Sequence, residues 1–136
     1  MVRLIMGGKG SGKTKQLIEL INNAAKDEPG NVVCIEANRT MTYDIHYHIR
    51  LIDAEEYKLN SYELLRGFIS GLYAGNYDIT QVFIDNLCKI VGTGVSKDTE
   101  DFLNWLDLFG ERNNIKFTAT ISAEVSEATD GMQKFL

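Results

Sequence analysis

The spacing of hydrophobic positions changes along the chain, and each change marks an element. Val2–Met6 is a short apolar run interrupted only by Arg3, which predicts a strand. Over Thr14–Ala25 the apolar residues Leu17, Leu20, Ile21 and Ala24 recur at helical spacing. Lys26-Asp27-Glu28-Pro29-Gly30 then predicts the stop, because proline cannot continue a helix and glycine relaxes the turn. Asn31–Ala37 (NVVCIEA) reads as a buried strand, Asn38–His48 as a loop or short helix, and Ile49–Asp53 as a short strand at a sheet edge. Ser61–Gly75 reads as a helix with Ser61 as its N-cap and Leu64, Leu65, Phe68, Ile69 and Leu72 on its inner face.

The second half repeats the alternation. Gln81–Asp85 (QVFID) is an apolar strand ending in an acid, and Gly92–Ser96 is a loop behind a short apolar stretch. Asp98–Glu111 has Phe102, Trp105, Leu106 and Phe109 at i, i+3, i+4 and i+7, so Trp105 belongs to the core. Ile115–Ala123 is rich in β-branched residues and predicts a strand. The tail Glu124–Leu136 is expected to be helical with an interruption near Gly131. Strands separated by helices predict an α/β fold: a mostly parallel sheet between two helical layers. Without a linker, a repeat or a low-complexity tract, residues 1–136 read as one domain.

Composition narrows the class. Hydrophobic residues make up 44% of the chain, too many for a disordered segment. The net charge of −5 gives no global reason to bind nucleic acid or an anionic membrane. No apolar run reaches the length of a membrane span, and the N-terminal stretch is too short for a signal peptide. Cys34 and Cys88 lie in apolar runs and read as free thiols. A cytoplasmic protein is the expectation.

Glycine is the informative residue. Four of the twelve fall between residues 7 and 12, within Gly7-Gly8-Lys9-Gly10-Ser11-Gly12-Lys13-Thr14. This segment fits G-x-x-x-x-G-K-[ST] in full, between a predicted strand and a predicted helix. Glycines let the backbone wrap with its N–H groups turned inward on phosphate oxygens, and the helix start adds its own unpaired N–H groups. In such a loop Lys13 reaches the β- and γ-phosphates and the Thr14 hydroxyl ligates Mg²⁺. Lys9 and Lys15 raise the local positive potential. Asp85, at the carboxyl end of its strand, stands where ligands bind in open parallel sheets and is a second candidate Mg²⁺ ligand. Two further patterns carry less. His46 and His48 lack the companions a metal site needs. The four-residue repeat of Gly67, Gly71 and Gly75 is expected to let its helix lie close on the sheet.

With these motifs the chain resembles the P-loop NTPases, and among them the RecA-like branch. The resemblance in element order covers most of the chain; the phosphate loop is its specific motif. It implies a Walker B role for Asp85, ATP as ligand with Mg²⁺, and a γ-phosphate-sensing polar residue at Thr120 or Ser122. It also implies a glutamate near the end of NVVCIEANR that activates water. Glu36 is the nearest acid there, and residue 86, where many relatives carry Glu, is Asn. The base stays open between Glu36, another acid and none. RecA-like domains often complete their site with an arginine from a second copy or a protein partner. Three functions follow: NTP hydrolysis, slow or partner-dependent; a non-catalytic nucleotide-binding module; and a nucleotide or small-molecule kinase. The scattered arginines speak against the arginine-rich lid that a kinase needs.

Overall fold

The computed structural model describes residues 1–38, 44–46 and 48–136. Five strands form one sheet: β1 (Val2–Met6), β2 (Asn31–Glu36), β3 (Arg50–Asp53), β4 (Ile79–Asp85) and β5 (Lys116–Ile121). Their spatial order is β1-β5-β4-β2-β3, and every pairing is parallel. The β-branched and aliphatic residues that crowd these strands suit a sheet covered on both faces. All carboxyl ends therefore lie along one edge, where Glu36 pairs in register with both Asp53 and Asp85.

The two faces are covered unequally. Val33, Ile35, Val82, Ile84, Phe117 and Ala119 point into the larger core, together with Leu65 and Ile69 of α2 (Tyr62–Gly75) and Phe102, Leu103 and Leu106 of α4 (Lys97–Asn113). The short helix α3 (Leu87–Val91) adds Leu87 and Ile90. On the opposite face α1 (Lys13–Asp27) sets Leu17, Ile21 and Ala24 against Val32, Cys34 and Phe83. That face also carries Thr118, Thr120, Asp85 and Glu36, which follow from the two-residue alternation along each strand.

The predicted elements stand within one to three residues of their expected ends, with four corrections. Leu64 is half exposed, because the apolar arc of α2 is wider than the stripe the sheet can cover; Leu65 and Ile69 are the buried pair. Gly67, Gly71 and Gly75 face open space, so they do not bring α2 close to the sheet. Close approach is made by Gly110, where an added Cβ would come within 2.5 Å of the Ile115 carbonyl oxygen. The tail forms two 3-10 turns, Val125–Glu127 and Asp130–Phe135, that break at Ala128 and Thr129 while Gly131 lies inside the second. The second turn buries Met132 and Phe135 in the larger core. Cys34 and Cys88 are free thiols, the first buried and the second half-buried. Part of the loop expected over Asn38–His48 lies outside the described residues; within the rest, His48 N–H donates to His46 Nδ1 and the two rings stack. No helix among the described residues is long and apolar enough to cross a membrane.

Candidate functional site

The glycine-rich loop joins β1 to α1. Gly10 and Gly12 have φ of 85° and 84°, a left-handed conformation that side-chain-bearing residues rarely adopt, so both glycines are required by the turn. Gly12 is the N-cap of α1 and brings no side chain to it, and the first turn holds no acid. The segment entering that turn carries Lys13, Thr14 and Lys15 instead. Ser11 N–H donates to Gly8 O at 3.1 Å and Gln16 N–H to Gly12 O at 3.1 Å, which fixes the loop against the helix. Lys13 is half-buried, and among the described residues no carboxylate pairs with it. The site thus combines uncompensated N–H groups, the positive end of a helix dipole and an unpaired ammonium group. Each of these favours an anion.

Across the sheet edge, Asp85 closes β4. Its Oδ1 accepts from Thr120 Oγ1 at 2.8 Å, and Thr120 Oγ1 in turn accepts from Asn86 N–H at 2.8 Å. Thr120 therefore positions the Asp85 carboxylate and leaves its second oxygen without a partner among the described residues. The one hydroxyl proton of Thr120 is thereby committed to Asp85. Ser122 lies just past β5 and is exposed. Asn86 adopts φ 64°, a left-handed bend that turns the chain from β4 into α3.

Glu36 is only 1% exposed and sits beside Asp85 in the ladder. The proximity is visible in Cys34: burial pushes its thiol well above the ordinary value, and the Glu36 and Asp85 carboxylates push it further. Sequence reasoning did not single out Glu124. Its Oε1 lies 2.5 Å from where a Gly8 Cβ would stand, and its carboxylate accepts from Glu127 N–H. Residues 8 and 124 meet because the loops after β1 and β5 are neighbours, tied by Gly7 N–H to Ile121 O at 3.4 Å. No local sequence signal marks that encounter.

An all-parallel five-stranded sheet covered by helices on both faces, with its first strand running into a glycine-rich loop and helix, defines the class as an α/β fold. Among solved structures, the chain is similar to the crystal structure of flagellar accessory protein FlaH from Methanocaldococcus jannaschii, with a TM-score of 0.60 and 11% identity. The likeness covers 98% of this chain and 65% of that one, and it is a likeness of fold. No protein-family model and no curated protein matches the sequence.

Proposed function

We propose that the chain binds a nucleoside triphosphate, ATP by the RecA-like resemblance, at the loop 7–14. The observation that carries this reading is the start of α1: a left-handed Gly12 with no side-chain cap, no acid in the first turn, and Lys13 without a carboxylate partner among the described residues. A helix begun in this way leaves its first N–H groups open to solvent, where an anion can bind them. Backbone N–H groups of residues 8–14 would receive the phosphates and Lys13 would neutralise them. Lys9 and Lys15 would add to the attraction.

Mg²⁺ suits the donors present. The Thr14 hydroxyl and the unpartnered oxygen of Asp85 are hard oxygen ligands, and Mg²⁺ retains waters beside one or two such groups. Held by Thr14 and Asp85, the ion would supply positive charge to offset that of the phosphates. Thr120 holds Asp85 in orientation, and its proton goes to the carboxylate it supports.

The chemistry that follows binding is NTP hydrolysis, slow or dependent on a partner that supplies an arginine. Glu36 is the candidate base, Lys13 would stabilise the transferred phosphoryl group, and Ser122 is the remaining candidate for sensing it, because the Thr120 proton is committed to Asp85. One observation favours a second reading, a binding module without turnover. Glu36 is sealed at 1% exposure, and Asn86 holds the place after Asp85. Titrating MgATP and a non-hydrolysable analogue by calorimetry, with phosphate release followed in parallel, tests both. Lys13→Ala is expected to weaken binding by about 100-fold, corresponding to ~2.7 kcal/mol lost from a charged contact. Unchanged affinity in that variant would refute the site. Tight binding with no phosphate release, in the presence of candidate partners, would select the module.

A further inference from the structure

The carboxyl edge of the sheet has a second depression, away from the phosphate loop. A cavity of about 230 Å³ lies between the end of β2, the turn after β3, and α3. Ala54, Leu59 and Ile90 give it a buried apolar floor. Its charged lining is Lys58, Lys89 and Glu55, two ammonium groups against one carboxylate.

The turn that presents Lys58 is rigidly built. Glu55 N–H donates to Asp53 Oδ1 at 3.0 Å, Lys58 N–H to Glu55 O at 3.2 Å, and Leu59 N–H to Ala54 O at 3.1 Å. Ala54 N–H ties the turn back to Glu36 O at 2.9 Å. These bonds hold Lys58 at φ 56°, a conformation in which glycine would be less strained. Backbone held in such regions by its surroundings clusters at ligand sites. From the other side comes Lys89: with the Asn38 amide turned to satisfy both neighbours, its carbonyl oxygen accepts from Lys89 Nζ at 2.7 Å and its NH₂ donates to Ala37 O at 3.2 Å. Among the described residues neither lysine is in an ion pair.

We propose that this cavity binds a small molecule by a carboxylate or phosphate group held between Lys58 and Lys89, with its apolar part on the Ala54–Leu59–Ile90 floor. The volume lies below the ~300–1,000 Å³ usual for drug-sized ligands, which selects a compact acid over a nucleotide. Glu55 repels a second negative charge on the same ligand, so one acidic group faces the lysines. The site is independent of the nucleotide reading, since it shares no residue with the loop 7–14.

The experiment is a titration of ¹⁵N-labelled protein with inorganic phosphate and, separately, with butyrate. Saturable shifts of the Asn38, Lys58, Leu59 and Lys89 amides are expected with at least one of the two, and which one responds identifies the preferred acidic group. Lys58→Ala and Lys89→Ala should each weaken that response at least fivefold, while Lys13→Ala leaves it in place. Shifts confined to residues 7–14, no saturable response to either anion, or loss of the response in Lys13→Ala would overturn the site. Lys58→Gly separates binding from folding. It relieves the backbone, so thermal stability should rise while the anion response falls; higher stability with an unchanged response would make Lys58 a turn residue only.

Discussion

Helices α1 and α4 begin in opposite ways. Helix α4 is closed at its start: Asp98 N–H donates to Ser96 Oγ at 3.2 Å, Ser96 N–H donates to Thr99 Oγ1 at 3.1 Å, and Asp98 and Glu100 face the positive dipole end. Helix α1 offers none of these. Its N-cap is a glycine, its first turn has no acid, and two lysines crowd the place where acids would help. α4 packs on the larger core and is capped by its own residues. α1 leaves its N–H groups open at the carboxyl edge of the sheet, where parallel α/β proteins bind ligands. With glycine as N-cap, α1 gives up only a few tenths of a kcal/mol relative to a side-chain cap and keeps its first N–H groups open to a ligand.

The contrast can be broken from either side. Supplying α1 with the acid it lacks should have the largest effect. Gly12→Asp puts a carboxylate at the start of α1 and is expected to weaken MgATP binding by about 100-fold or more, ~2.7 kcal/mol, and to cost about 1–2 kcal/mol of folding stability because residue 12 sits at φ 84°. Calorimetry alongside a thermal melt checks this; retained affinity would mean that the start of α1 does not read phosphate. Removing the cap that α4 does have comes next. Ser96→Ala should cost ~1 kcal/mol in urea unfolding and leave nucleotide affinity untouched, and an equal midpoint to the parent would show the cap to be redundant. The smallest effect belongs to a glycine with no role in either helix start. Gly71 is in the interior of α2 with open space around it, so Gly71→Ala should add ~0.5–1 kcal/mol. Destabilisation there would reveal a close neighbour that the fold does not contain.

What could be read beforehand follows from how local each signal is. The glycines between Gly7 and Gly12 carry a local signal, and the structure uses Gly10 and Gly12 at left-handed φ to turn β1 into α1. Ser61 as N-cap was equally local: its Oγ accepts from Leu64 N–H at 3.1 Å. The parallel sheet was legible from alternation of strand and helix, and the edge position of β3 from its brevity and flanking polarity. Leu64 and the α2 glycines were misread because periodicity reports which residues share a helix face and is silent on how far the neighbouring layer extends. Glu124 beside Gly8, and Lys58 across from Lys89, were invisible for a further reason. Each pair comes from segments that only strand order brings together, so neither has a spacing that could repeat or a motif that could match. The orientation of Asp85 by Thr120 is an intermediate case: both residues were candidates, and their pairing required β4 and β5 to be adjacent.

The position of β1 in the sheet has a mechanical consequence. Among the described residues it pairs with β5 alone, so half of its backbone groups look away from the ladder. The phosphate loop is thus cantilevered from one strand, and β5 is also the strand that steadies Asp85 through Thr120. A strain applied at either group would be felt by the other through one shared beam, and slackening β5 would loosen both ends of the site at once.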